Sequence, residues 1–241
     1  MPKYVLHIAL MALLLSSCAT QYDIAGNSSL DEVDGRMLYL RVTAGNGDVA
    51  VCSLDSCQVE HGRFRFGGDV DSIMLAQVYM GNDLMMPIVI ENGALQVSID
   101  QMGQYVEGGH LNKILYKFLE KREQLENKIW QAENACIRAL REGKDNPVSV
   151  REKMKRRTNS LNKEIEDEEV RFIKDNYDNA LGPGYFIMLC NQQIFPRMTE
   201  QFRSIVDDAP RDFLLNPYIH NYLHMAGYDF SRQNKKNKKK K

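Results

Sequence analysis

Leu95-Gln-Val-Ser-Ile99 and Leu111-Asn-Lys-Ile-Leu-Tyr-Lys-Phe118 stand close together in the chain, and the apolar pattern changes between them. In the first segment Leu95, Val97 and Ile99 alternate with polar residues, the period of a half-buried strand. From Leu111 onward, Leu115, Phe118, Leu125, Ile129, Ala132, Cys136 and Ala139 step by fours and threes, missing only where Arg122 falls. That is the period of a helix with a narrow apolar seam. The chain therefore passes from β to α near residue 108, and the expected fold class is α+β.

Upstream of the switch, short β-branched and aromatic segments alternate with turn dipeptides. Asp34-Gly35 leads into Met37–Val42, Asn46-Gly47 turns into Val49–Val59, and His61-Gly62 makes a hairpin into Phe64-Arg-Phe66. Ile73–Met80, Pro87–Ile90 and Leu95–Ile99 follow, separated by Gly81-Asn82 and Asn92-Gly93. About seven strands at hairpin spacing predict an antiparallel β-sandwich or open barrel rather than a parallel sheet.

Downstream, Gly143-Lys-Asp-Asn-Pro147 breaks the first helix, with Asn146 as N-cap and Pro147 at the first helical position of the next. That second helix carries Val150, Met154, Leu161, Ile165 and Phe172 on its seam and runs to about Tyr177. Two helices of matched length and a short connector predict a long antiparallel hairpin. Leu181-Gly-Pro-Gly184 reads as a stop. Three short helices are expected behind it, over Tyr185–Ile194, Arg197–Asp207 and Arg211–Met225, with Pro217 bending or delaying the last.

The N-terminus reads as an export signal. Lys3, an apolar run from Tyr4 to Leu15 and the ending Leu15-Ser-Ser-Cys18 have the layout of a bacterial lipobox, which makes Cys18 the lipid attachment site. The expected organisation is a lipoprotein signal peptide at 1–17, a β domain at 18–108, a helical hairpin at 109–180, a small helical region at 181–230 and a Lys-rich tail at 231–241. Without the signal and the six tail lysines the chain has 24 basic against 32 acidic residues. A body of that sign does not suit nucleic acid, which selects a basic face.

Cys52, Cys57, Cys136 and Cys190 remain after the anchor. Cys52 and Cys57 on one strand would lie roughly 17 Å apart, too far for a mutual disulfide. No C-x-x-C is present. Most of these thiols read as small apolar residues, and Cys52 or Cys57 is the candidate for exchange with a partner. His220-Asn-Tyr-Leu-His224 has the i, i+4 spacing of a metal pair, but Asn221 stands where a zinc protease has its Glu and no third ligand follows. Asp55, Ser56 and His61 hold the residue types of a hydrolase triad without a nucleophile elbow. Gly67-Gly68 and Gly108-Gly109 lack phosphate-loop patterns and read as turns. The methionines of Met80–Met86 form either an adaptable surface or a loop packed back on the sandwich, and Glu164–Glu169 reads as a solvated helix face. The sequence points to no cofactor and to no complete catalytic constellation.

Several stretches together resemble a known family: Tyr22–Gly26, Asp34–Leu40, Leu54–Gly68, Pro87-Ile-Val-Ile-Glu-Asn-Gly93 and Gly108-Gly-His-Leu-Asn112. The resemblance is to the domain of unknown function (DUF4369-type) found N-terminal to thioredoxin domains in lipoproteins of Bacteroidetes, often catalogued as a thiol–disulfide interchange N-terminal domain. In that family a helical segment follows and a thioredoxin domain usually closes the chain. Here no strand–C-x-x-C–helix unit follows Tyr185, so the family's redox chemistry cannot be carried over to any residue.

The expected function is that of a non-catalytic, lipid-anchored envelope protein acting as a binding or scaffolding module. Its hairpin would bind a protein partner or a second copy, and Leu125, Ile129 and Leu161 are the residues expected to support that assembly. The alternative is an accessory of a periplasmic thiol–disulfide pathway. The expected location is the Gram-negative envelope, at the outer membrane facing the periplasm, with surface exposure as the other possibility.

Overall fold

The computed structural model describes residues 20–45, 49–143 and 146–230. Cys18, the signal, the Asn46-Gly47 turn and the Lys-rich tail lie outside the described residues. Among the described residues eight strands form two four-stranded sheets: β1 (Thr20–Ser28), β2 (Met37–Gly45), β3 (Val49–Gln58), β4 (Arg63–Val70), β5 (Met74–Met80), β6 (Asp83–Ile90), β7 (Gly93–Asp100) and β8 (Gly103–Glu107). The sheet orders are β4-β1-β7-β8 and β3-β2-β5-β6.

The extra strand, β8, follows a tight turn in which Asp100 Oδ1 accepts from the backbone N–H groups of Met102 and Gly103 at 2.7 and 3.1 Å. A short Asx turn between two short strands has no Gly-rich signature of its own. The expectation of purely antiparallel pairing fails at one place. β1 and β7 are parallel, with Tyr22 opposite Gly93 and Ser28 opposite Ile99. The chain visits the other sheet between them, and hairpin spacing alone does not reveal which strands become neighbours. The alternating residues do what their pattern dictates: Ile24, Leu38, Leu40, Phe66, Val78, Ile88 and Val97 are fully buried between the sheets.

Among the described residues six helices follow: α1 (His110–Glu142), α2 (Pro147–Asp175), α3 (Leu181–Asn191), α4 (Glu200–Val206), α5 (Arg211–Leu214) and α6 (Pro217–Met225). Asn146 caps α2 by accepting from Val148 N at 2.9 Å, with Pro147 behind it. At 33 and 29 residues, α1 and α2 are about 50 and 44 Å long.

Leu181-Gly-Pro-Gly184 is not a stop but the first turn of α3. Pro183 is tolerated there because first-turn N–H groups have no helical partner. The chain turns earlier, where Asn176 Nδ2 donates to Phe172 O and Asn179 Oδ1 accepts from Leu181 N. Gly184 is needed for closeness: a Cβ there would sit 2.5 Å from Leu75 Cβ, so α3 lies almost directly on β5. The single helix expected over Arg211–Met225 is two, because Asn216 caps a new start ahead of Pro217.

A second core joins these helices to the base of the hairpin. Phe118 and Phe172 stack at 4.0 Å, and Tyr185 meets both edge-on at 5.0 and 5.4 Å. Phe186 then contacts Phe202 and Phe213. Leu75 and Val89, on the outer face of their sheet, pack into this core and tie it to the sandwich.

Candidate functional site

Two stretches that carry the family resemblance, Pro87–Gly93 and Gly108–Asn112, meet at the root of α1. Glu91, 8% exposed, accepts the backbone N–H groups of His110, Leu111 and Asn112 at 2.9, 3.2 and 2.9 Å. A carboxylate there satisfies three orphan donors and complements the helix dipole. Asn112 is fully buried and grips β6, an edge strand: its Oδ1 accepts from Val89 N at 2.9 Å and its Nδ2 donates to Val89 O at 2.8 Å. The side-chain amide thus stands in for a neighbouring strand's peptide. The same Nδ2 donates to Glu91 Oε1 at 2.9 Å, and Tyr116 OH donates to Pro87 O at 2.9 Å. Gly109 has φ +72°, and a Cβ there would sit 2.1 Å from Glu91 Oε1, so only glycine brings the carboxylate this close.

The joint also orients the hairpin. β1 and β7 start, and β8 ends, at one edge of the sandwich, since Tyr22 pairs with Gly93 and Gln96 with Glu107. The root of α1 therefore lies at the same end of the sandwich as Thr20, two residues after Cys18.

The base of the hairpin is polar on one side. Glu169, 6% exposed, accepts from Tyr185 OH at 3.1 Å and Gln201 Nε2 at 2.6 Å. Arg122 Nε lies 3.3 Å from the same carboxylate, yet it is not aligned for a hydrogen bond, so this contact is electrostatic. Burial pushes the Glu169 carboxyl above the usual range, against the lowering effect of Gln201, Arg122 and Tyr185. The reading of Glu164–Glu169 as a solvated face holds for Glu164, Glu166 and Asp167 and fails for Glu169.

Beyond this base the hairpin stands apart. Leu125, Cys136 and Leu161 are buried but belong to neither core; they are used between α1 and α2. Leu125 and Leu161 therefore hold the hairpin together and are not free to hold a partner. Trp130, the only tryptophan, is 65% exposed, and Ile137 and Val148 are 47% and 62% exposed.

The remaining candidates do not assemble. Cys57 points toward the sandwich core beside Leu38, and burial pushes its thiol up to about 11. A thiol held that high carries less thiolate at neutral pH than a free one, the opposite of an activated thiol. Cys52 is exposed, Cys136 and Cys190 are buried, and all four are free. Asp55 is occupied by the backbone N–H groups of Ser56 and Gly67, at 2.7 and 3.0 Å. His220 stacks on Phe230 at 4.8 Å, and among the described residues no three His, Cys, Asp or Glu side chains gather as a metal site. Met86 is buried and Met80 and Met85 pack on the sandwich core. A shallow cleft beside Tyr22 and Gly93, lined also by Gln21 and Asn92, has its two charged groups, Arg65 and Asp23, engaged with each other in a two-point ion pair, 2.6 Å at each contact. Among the described residues no helix is long and apolar enough to cross a membrane.

Residues 22–115 match the profile of a domain of unknown function, DUF4369. The match ends at Leu115, so it takes in the sandwich and the Glu91–Asn112 joint but not the rest of the hairpin or the helices behind it. No curated protein and no solved structure matches the chain.

Proposed function

We propose that this is a non-catalytic, lipid-anchored envelope protein whose hairpin is a scaffold for a protein partner. The observation that carries the reading is the distal hairpin, a two-helix arm that contributes to neither core and leaves its tryptophan in solvent. A long two-helix projection with a narrow seam contributes little to the stability of the body; its length is explained by what it reaches. Leu15-Ser-Ser-Cys18 supplies the anchor, and three acyl chains at about 0.8 kcal/mol per buried CH₂ make attachment effectively permanent. With Thr20 already in β1, the root of the arm stays at the membrane end.

The test is gentle extraction of the anchored protein from membranes after alkylation of free thiols, followed by sizing of the complex. The wild type is expected to run larger than a monomer. A wild type that is monomeric from the outset contradicts the scaffold. A complex that dissolves only on reduction assigns the contact to Cys52 or another thiol, the accessory role in thiol exchange.

A further inference from the structure

The two helices of the hairpin enclose two clefts on one side, and the clefts repeat. The distal one, about 320 Å³, is lined on α1 by Ala132, Ala135, Cys136 and Ala139. Eighteen residues earlier, Ile114, Lys117, Phe118 and Lys121 line the proximal one, about 230 Å³. On α2 the distal set is Val150, Lys153, Met154 and Arg157. Eighteen residues later stand Glu168, Arg171, Phe172 and Asp175, the proximal set. Eighteen residues are five full turns, so both clefts lie on the same face, about 27 Å apart. The other side of the base is covered by α3 and α4 through Tyr185 and Gln201, whereas this face is open.

The rim of this face is cationic. Lys117, Lys121, Lys153, Arg157 and Arg171 stand around the clefts, with Lys128 between them by spacing. Against these are Glu168, Asp175 and, by spacing, Glu164. Glu168 is already held by Lys121 at 2.7 Å and Arg171 at 2.6 Å. No carboxylate lines the distal cleft, where Lys153 and Arg157 are the only charges.

Resting on the scaffold reading, we infer that this face docks one amphipathic helix of another protein. The docked helix has an acidic rim and seats two apolar side chains, 18 residues apart, in the two clefts. A second copy is the wrong occupant, because groove against groove sets lysines and arginines on lysines and arginines. The occupant is instead a helix of a different chain whose carboxylates meet Lys153, Arg157 and Lys128 while its knobs fill the apolar floor.

Three synthetic helical peptides of about 26 residues test this on the full-length protein in detergent. The first has a Glu rim and Leu residues 18 apart; the second replaces Glu by Lys; the third keeps Glu but sets the Leu residues about 11 apart, on the same face at the wrong distance. The first is expected to bind at least about tenfold tighter than either of the others. Lys153→Glu with Arg157→Glu, both on exposed positions, is expected to reverse the preference between the first two. Equal binding of the three, or no saturable binding, overturns the inference. So does a dimer of the protein alone that Ala135→Glu converts to monomer. If native complexes are recovered while no peptide binds, this assignment of the face fails and the scaffold stands; if native complexes are absent, the scaffold itself fails.

Discussion

Asn112→Ala is expected to destabilise the protein by about 3–5 kcal/mol, because it strips a buried joint of three hydrogen bonds at once. Val89 loses its partners on both N–H and C=O, and Glu91 loses one of its four donors, in a place where Asn112 itself is fully buried. With Val89 and Asn112 fully buried, each orphan carries its own desolvation cost of about 1–3 kcal/mol. Asn112→Asp separates hydrogen bonding from packing. It keeps the shape and the acceptor for Val89 N–H, but it removes both donors and sets a second carboxylate against Glu91. It is therefore expected to be at least as harmful as Ala. Denaturant melts read both variants, and an Asp variant as stable as wild type would remove the hydrogen-bond account of the joint.

Glu169→Leu is expected to cost about 2–4 kcal/mol, through a different imbalance. Leucine fills the space, but Tyr185 OH and Gln201 lose their acceptor and Arg122 loses the more buried of its two carboxylates. Adding Tyr185→Phe removes the buried orphan hydroxyl, so the double variant is expected to recover part of the loss. The pH dependence has a definite sign. The folded pKa of Glu169 lies above its ordinary value of 4.5, so the folded state binds this proton more readily than the unfolded state. Stability from that site is fully present below 4.5 and is lost as pH rises through the folded pKa. Wild type is therefore expected to gain on Glu169→Gln as pH falls from neutral. A difference that is constant with pH, or a Leu variant with unchanged stability, contradicts the description of this cluster.

Both sites bear on what can be read from a sequence. The change of period between Ile99 and Leu111 placed the sandwich and the hairpin, and Asn146-Pro147 placed the start of α2, because local pattern and local capping determine them. The parallel β1–β7 pair was not legible, since neighbours in a sheet are chosen by the two-sheet topology and not by any one segment. Leu181-Gly-Pro-Gly184 reads as a break in the sequence because glycine marks close approach as readily as a stop, and only the packing on Leu75 tells the two apart.

Glu169 left a trace that could have been followed. Arg122 interrupts an otherwise apolar seam, and a half-buried guanidinium there requires an acid across the interface. Asn112 left none: an asparagine in the first turn of a helix looks like any polar residue until the edge of β6 lies beside it. The repeat of the two clefts is legible as an 18-residue offset only once the register of the two helices is known.

Hydrogen exchange over residues 125–161 tests the central claim most directly, comparing the protein in gently extracted native complexes with the same protein purified alone in detergent. An arm that serves as a scaffold is covered in the first sample and bare in the second. Its amides are therefore expected to exchange at least about tenfold more slowly in the complex, with the sandwich unchanged. Equal exchange of the arm in both samples would mean that nothing occupies it, and the hairpin would then need another explanation.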